Sequence, residues 1–241
     1  MIGDGGIVTS FLLLHGGAHD GWCWRHVMEV LEHSGHRAVA PDLPIEDPAC
    51  GALDWAYSGV EAASDLDDLV VVGHSMGGLA VPVVAALRPV RLMIFLSAMV
   101  PMPGMIFNEY LATQPSAITT PQDRMRLDYL GRSVVPADVA REYFYEDCEP
   151  AMADEACSRL RPTAMTAFTE VSPLVEWPAT PSVYVIGIDD RAVSPAWGQQ
   201  VATRRLNAPF VALPGGHSPF LARPALLANT LLDVADGRRR S

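Results

Sequence analysis

The sequence predicts an α/β fold: a mostly parallel sheet of about six strands, helices on both faces, and a helical segment inserted before the last two strands. Three observations predict it. Short unbroken apolar runs recur along the chain, each closed by glycine, proline or a polar turn, as buried parallel strands require. Helix-periodic stretches alternate with those runs. The residues capable of chemistry cluster just after the runs end, where open α/β sheets place their ligands.

The first run, Ile7 to Leu14, ends in His15-Gly16-Gly17. Trp22 to His33 reads as a helix because Trp24, Val27, Met28 and Leu31 share one face, and Gly35 can stop it. Arg37 to Ala40 is a brief second strand closed by Pro41 and Pro44. A Pro-, Asp- and Gly-rich loop covers Asp42 to Gly51, and a helix is expected from Leu53 to Leu66. Leu69 to Val72 is the third strand, leading into Gly73-His74-Ser75-Met76-Gly77-Gly78. A helix of small residues follows from Leu79 to Leu87, with Pro82 near its start, where a missing N–H costs least. Arg91 to Leu96 is the fourth strand. From Pro101 to Pro173 prolines and glycines are frequent, and the visible periodicity is helical at Met125 to Leu130 and Ala137 to Tyr145. Residues 101–173 are therefore expected to form a helical cap, inserted into a core made of 1–100 and 174–241. Val183 to Ile188 and Pro209 to Leu213 resume the strand pattern, Pro224 to Ala235 is a closing helix, and Arg238 to Arg240 a frayed tail.

Composition narrows the function. The chain has 241 residues, 49% hydrophobic and 19% charged, enough for one large core and too apolar for disorder. Its net charge of −11 makes nucleic acid and anionic membranes poor partners. All 17 basic residues are Arg, which excludes a Schiff-base lysine or a P-loop. Cys23, Cys50, Cys148 and Cys157 contain no C-x-x-C pair, so they read as reduced thiols of a cytoplasmic protein rather than a zinc or redox site. The apolar stretch Phe11 to Leu14 is too short for a signal h-region or a membrane span. No metal or organic cofactor is implied, and a homodimer is compatible with the sequence without being required by it.

Gly73-His74-Ser75-Met76-Gly77 fits G-x-S-x-G, a sharp strand-to-helix turn that lifts a serine oxygen above the sheet. Gly73 and Gly77 remove side chains that would clash as the backbone doubles back. Attack on a carbonyl needs two N–H donors for the developing oxyanion. Met76, after the nucleophile, supplies one, and Gly17, in the loop after the first strand, the other. The base must follow the serine in the order Ser…acid…His, and of the seven histidines only His217 does so. The acid that orients it is Asp189 or Asp190, at the end of the strand Val183 to Ile188; pattern alone favours neither.

These residues resemble the α/β-hydrolase superfamily over nearly the whole chain. Leu14-His15-Gly16-Gly17-Ala18-His19-Asp20-Gly21-Trp22-Cys23-Trp24 is similar to the first-loop signature of the plant methylesterase and hydroxynitrile lyase group. In that group a proline follows the acid by a few residues, as Pro195 follows Asp190 here. The resemblance implies the α/β-hydrolase fold, a triad of Ser75, Asp190 and His217, and Gly17 and Met76 as oxyanion donors. The cyanogenic lyases of the group place a lysine near the reacting centre; this chain has none, so hydrolysis is the implied activity. The substrate is then a small or medium apolar ester, lodged between sheet and cap against Trp22, Met99, Met105, Phe107, Met125, Met165 and Phe168. Rival readings are a thioesterase or acyl transferase, a lyase on the same scaffold, and a slow-turnover ligand receptor.

Overall fold

The computed structural model describes residues 8–238; Ile7 of the expected first strand and Arg239 and Arg240 of the expected tail lie outside the described residues. The chain runs β1 (Ser10–Leu14), α1 (Arg25–His33), β2 (Arg37–Val39), α2 (Ala52–Ala62), β3 (Leu69–His74), α3 (Val81–Leu87) and β4 (Leu92–Leu96). A long connection then carries α4 (Phe107–Ala112), β5 (Arg126–Leu127), β6 (Ser133–Val134), α5 (Ala137–Tyr143), α6 (Pro150–Ser158) and α7 (Thr166–Thr169). The chain closes with β7 (Ser182–Gly187), α8 (Pro195–Gln200), β8 (Phe210–Leu213), α9 (Pro219–Ala222) and α10 (Pro224–Ala235).

Six strands form one sheet in the order β2-β1-β3-β4-β7-β8, every neighbouring pair parallel. Strand side chains alternate between faces, so unbroken apolar runs feed two cores at once. Leu12, Leu14, Val71, Phe95 and Ile186 pack with Trp55 of α2, Val84 of α3 and Trp197 of α8. Phe11, Leu13, Val70, Val72, Ile94 and Val185 pack with Val27 and Leu31 of α1 and with Leu227 and Leu231 of α10. Burying each such side chain contributes about 1.5–3 kcal/mol. Among the described residues no helix is long and apolar enough to cross a membrane.

The structure corrects the expected elements in three places. Met125 to Leu130 is not helical: β5 and β6 pair as an antiparallel hairpin, with Arg126 opposite Val134. Asp128 causes this by accepting the N–H groups of Leu130 (2.9 Å) and Arg132 (3.0 Å), while the Arg132 guanidinium holds its other oxygen at 2.7 Å. A side chain that satisfies its own turn competes with the helix, and Gly131 supplies the required positive φ of 75°. The helices expected from Trp22 and from Leu79 instead begin as 3-10 turns, Gly21–Trp24 and Ser75–Leu79, that lead into α1 and α3. Finally, α2 ends at Ala62, ahead of Leu66.

Candidate active site

Ser75 follows β3 directly and sits at φ 49°, the left-handed region, which costs a residue with a Cβ about 1–3 kcal/mol. The surroundings enforce it. A Cβ on Gly73 would overlap the side chain of Val81, and one on Gly77 would lie 2.5 Å from the His15 carbonyl oxygen. The two glycines therefore serve close backbone approach, and the strain falls on the serine itself. The Ser75 carbonyl is tied down by the N–H of Met99 at 2.9 Å.

His217 lies in the loop after β8, and Asp190 just past β7. The His217 Nδ1 stands 2.9 Å from Asp190 Oδ2 and 3.1 Å from Oδ1, with both side chains shut off from solvent. Asp190 Oδ1 also accepts the N–H groups of Ala192 (2.8 Å) and Val193 (2.9 Å). Burial pushes this carboxyl up, but the His217 charge and these hydrogen bonds outweigh it and hold the pKa below the usual value. An ionised Asp190 only accepts, so Nδ1 carries the proton and Nε2 keeps its lone pair. Asp189, the alternative acid, is exposed at the same turn.

Ser75, Met76, Gly17 and His217 line one cavity of about 400 Å³. Gly17 packs against the Met76 side chain. Met99, Met125, Met165 and Phe168 line the cavity as expected, but Trp22, Met105 and Phe107 do not. The Trp22 ring lies beneath the Arg25 (3.6 Å) and Arg159 (4.5 Å) guanidinium groups, which draw it away. Phe107 is buried edge-on against Phe168 at 5.2 Å and borders, with Met105, a smaller neighbouring hollow. Among the described residues no Asp, Glu or Arg lines the main cavity.

Residues the sequence argument passed over complete the site. His15 Nδ1 donates to the Gly16 carbonyl and its Nε2 accepts from the Leu43 N–H, each at 2.8 Å. His19 Nδ1 donates to the Gly17 carbonyl at 2.8 Å, and its Nε2 accepts from the Tyr145 hydroxyl at 2.9 Å. His74 Nε2 donates to the His217 carbonyl at 3.0 Å. Ala18, at φ 62°, donates its N–H to Thr163 Oγ1 at 2.8 Å. These bonds brace the loop that carries Gly17 and the backbone that carries His217. Their signal was the apolar surroundings of His15 and His74, which put an imidazole where water does not reach.

Burial lowers all three histidines: His15 to about 3, His19 to about 4, and His74 well below its ordinary value. A histidine with a depressed folded pKa binds fewer protons folded than unfolded. Its stability is complete above the unfolded pKa near 6.5 and is lost as pH falls toward the folded value. Each fully buried histidine contributes up to about 1.4 kcal/mol per pH unit in that window. The urea midpoint should therefore fall between pH 7 and pH 5; a flat midpoint across that range would show that these histidines do not govern acid stability.

The chain is similar to known proteins over most of its length. Residues 11–230 match the model of a family described as the alpha/beta hydrolase family. The chain is 22% identical over 257 residues to Methylesterase 9 of Arabidopsis thaliana, covering 95% of this chain and 99% of the relative. It is 27% identical over 250 residues to a pyrethroid hydrolase of Sphingobium wenxiniae, covering 95% and 88%. A solved structure of a polyneuridine aldehyde esterase mutant superposes with a TM-score of 0.80 at 17% identity, over 95% of this chain and 99% of that one; this likeness concerns the fold.

Proposed function

The chain belongs to the alpha/beta hydrolase family, and from that premise we propose that it is a serine carboxylesterase that cleaves a small or medium, neutral, largely apolar ester through an acyl-serine intermediate. One observation carries the reading: the buried Asp190–His217 pair opens onto the same cavity as Ser75. Ser75 Oγ attacks the ester carbonyl while His217 Nε2 takes its proton. The Gly17 and Met76 N–H groups hold the oxyanion, each donor lowering the barrier by about 3 kcal/mol. The imidazolium then gives the proton to the leaving oxygen as the C–O bond breaks. Water repeats the sequence on the acyl-enzyme, releasing the acid and restoring Ser75.

The cavity supports a neutral substrate, because among the described residues no Asp, Glu or Arg faces it to compensate a buried charge. Its methionines adapt to varied apolar shapes. The likeness to a methylesterase favours an ester over a thioester or a lyase substrate. In this reading residues 101–173 act as the cap over the site. The unbridged Cys23, Cys50, Cys148 and Cys157 fit a cytoplasmic setting. A fluorophosphonate probe followed by peptide mapping tests the assignment, with a panel of neutral esters, thioesters and lactones beside it. The adduct is expected on Ser75, and turnover on the neutral esters. A folded protein that takes no label at Ser75 and cleaves none of the panel would refute it.

A further inference from the structure

Two hydroxyl-bearing residues stand side by side on the wall that the long connection gives to the cavity, and the esterase reading leaves both without a task. Ser133, in β6, and Thr163, just ahead of α7, form an antiparallel bridge. Each N–H donates to the other's carbonyl at 2.8 Å. Residues that exchange both bonds lie directly opposite, so their side chains leave the same face with Cβ atoms about 5 Å apart. That face is the cavity's. Ser133, Val135 and Thr163 line it, and Val134, which alternates to the other side, does not.

Thr163 is fixed against the loop after β1. Its Oγ1 accepts the Ala18 N–H at 2.8 Å, and the Ala18 carbonyl accepts from the Arg161 N–H at 2.9 Å. Its Cγ2 lies 3.5 Å from where a Cβ on Gly17 would stand. The pair therefore sits beside the amide assigned to the oxyanion. A hydroxyl has one hydrogen to give and two lone pairs. Thr163 spends one lone pair on Ala18, and its hydrogen meets no acceptor among the described residues. Ser133 Oγ has no partner among them. Thr163 is buried and Ser133 half-buried. A donor left unpaired in such a place costs stability, and an acceptor brought by a ligand recovers it. The other uncharged polar side chains outside the triad and its loops come from one stretch, 108–122. Asn108 and Gln122 are exposed there, and Thr120 follows Thr119, whose N–H is bonded to Ala192 at 3.0 Å beyond Asp190.

We propose that the Ser133–Thr163 hydroxyl pair is a binding subsite for a second oxygen atom of the substrate. The substrate class is then a neutral ester that carries an ether, keto or hydroxyl oxygen a few bonds from the scissile carbonyl. The hydroxyls donate to that oxygen, while Met76, Met99, Met165 and Phe168 take the hydrocarbon around it. A pure hydrocarbon ester leaves both hydroxyls unpaired, so the subsite selects against it as well as for the oxygenated one. The inference deepens the esterase reading and rests on it, since the position of the subsite is given relative to Gly17 and Ser75.

The test uses ester pairs of matched shape in which an ether oxygen replaces a CH₂. They are p-nitrophenyl methoxyacetate against butyrate, p-nitrophenyl 3-methoxypropionate against pentanoate, and 2-methoxyethyl butyrate against n-butyl butyrate. The kcat/KM ratio within each pair is measured for the native chain, Ser133→Ala, Thr163→Val and Thr163→Ser, so that intrinsic reactivity cancels. In at least one pair the ratio is expected to fall about five- to tenfold in Ser133→Ala and in Thr163→Val, and to be kept in Thr163→Ser. Thr163→Val also unpairs the Ala18 N–H, and a purely structural effect of that kind lowers both rates and leaves their ratio in place. Dissociation constants from NMR titration of Ser75→Ala, with and without Ser133→Ala, give the same comparison without turnover, using the ethyl esters of the same acids and the two butyrates. Failure of the subsite and failure of the nucleophile assignment are thereby told apart. Ratios within about twofold of native in every pair, for both Ser133→Ala and Thr163→Val, overturn the proposal.

Discussion

Ser75→Ala is expected to lower kcat on p-nitrophenyl acetate by about 10⁴- to 10⁶-fold while leaving the melting temperature within a degree or two. On the proposed mechanism the loss is large because the acyl-serine cannot form, and what remains comes from the proposed oxyanion donors and from binding alone. The stability change is small because alanine keeps the Cβ, so the strain of a left-handed backbone at φ 49° is the same in both proteins. Activity and folding therefore part company in this one substitution. Turnover equal to that of the native protein would remove Ser75 from the mechanism, and lost activity with lost folding would leave Gly73 and Gly77 as the governing features of the turn.

Asp190→Asn is expected to cost about 10⁴-fold in kcat, by a route the hydrogen bonds specify. Asp190 Oδ1 is held by the N–H groups of Ala192 and Val193. An asparagine keeps those bonds by placing its carbonyl oxygen there, which turns its NH₂ toward His217 Nδ1. That nitrogen must then accept, and the ring proton moves to Nε2, where it blocks uptake of the Ser75 proton. Raising the pH does not restore the tautomer. Asp189→Asn, at the exposed neighbour, should leave kcat within about twofold. A tenfold or smaller loss in Asp190→Asn would show that orientation of His217 rests on other contacts.

Most of the sheet was legible because buried parallel strands carry their own signature. The runs Leu69 to Val72 and Arg91 to Leu96 became β3 and β4 with ends shifted by a residue or two. The helix Pro224 to Ala235 was found to the residue. Ser75 and His217 were legible as candidates because each stands just beyond a strand, where chain direction brings them to one edge; Asp190 rather than Asp189 came from the family resemblance and not from the pattern. The intervening segment was less readable. Met125 to Leu130 has a helical spacing of apolar residues, yet Asp128 closes a turn there, and one side-chain contact outweighs a weak periodicity. Trp22, Met105 and Phe107 were placed at the substrate because they are large and apolar. Linear sequence does not say which way such a side chain points, and here cation–π contacts and core packing decided it. His19 and Thr163 were missed for the converse reason. The roles of His19 and Thr163 depend on partners more than a hundred residues away along the chain, at Tyr145 and Ala18 respectively.

The thioethers around the cavity carry a chemical vulnerability. Met76, Met99, Met125 and Met165 all face the space where substrate would sit. Peroxide converts such a side chain into a polar, chiral sulfoxide. At Met76 the sulfur itself abuts Gly17, so one added oxygen atom would wedge apart the two loops whose amides must converge, and the enzyme would be disarmed without any change to its serine, histidine or aspartate.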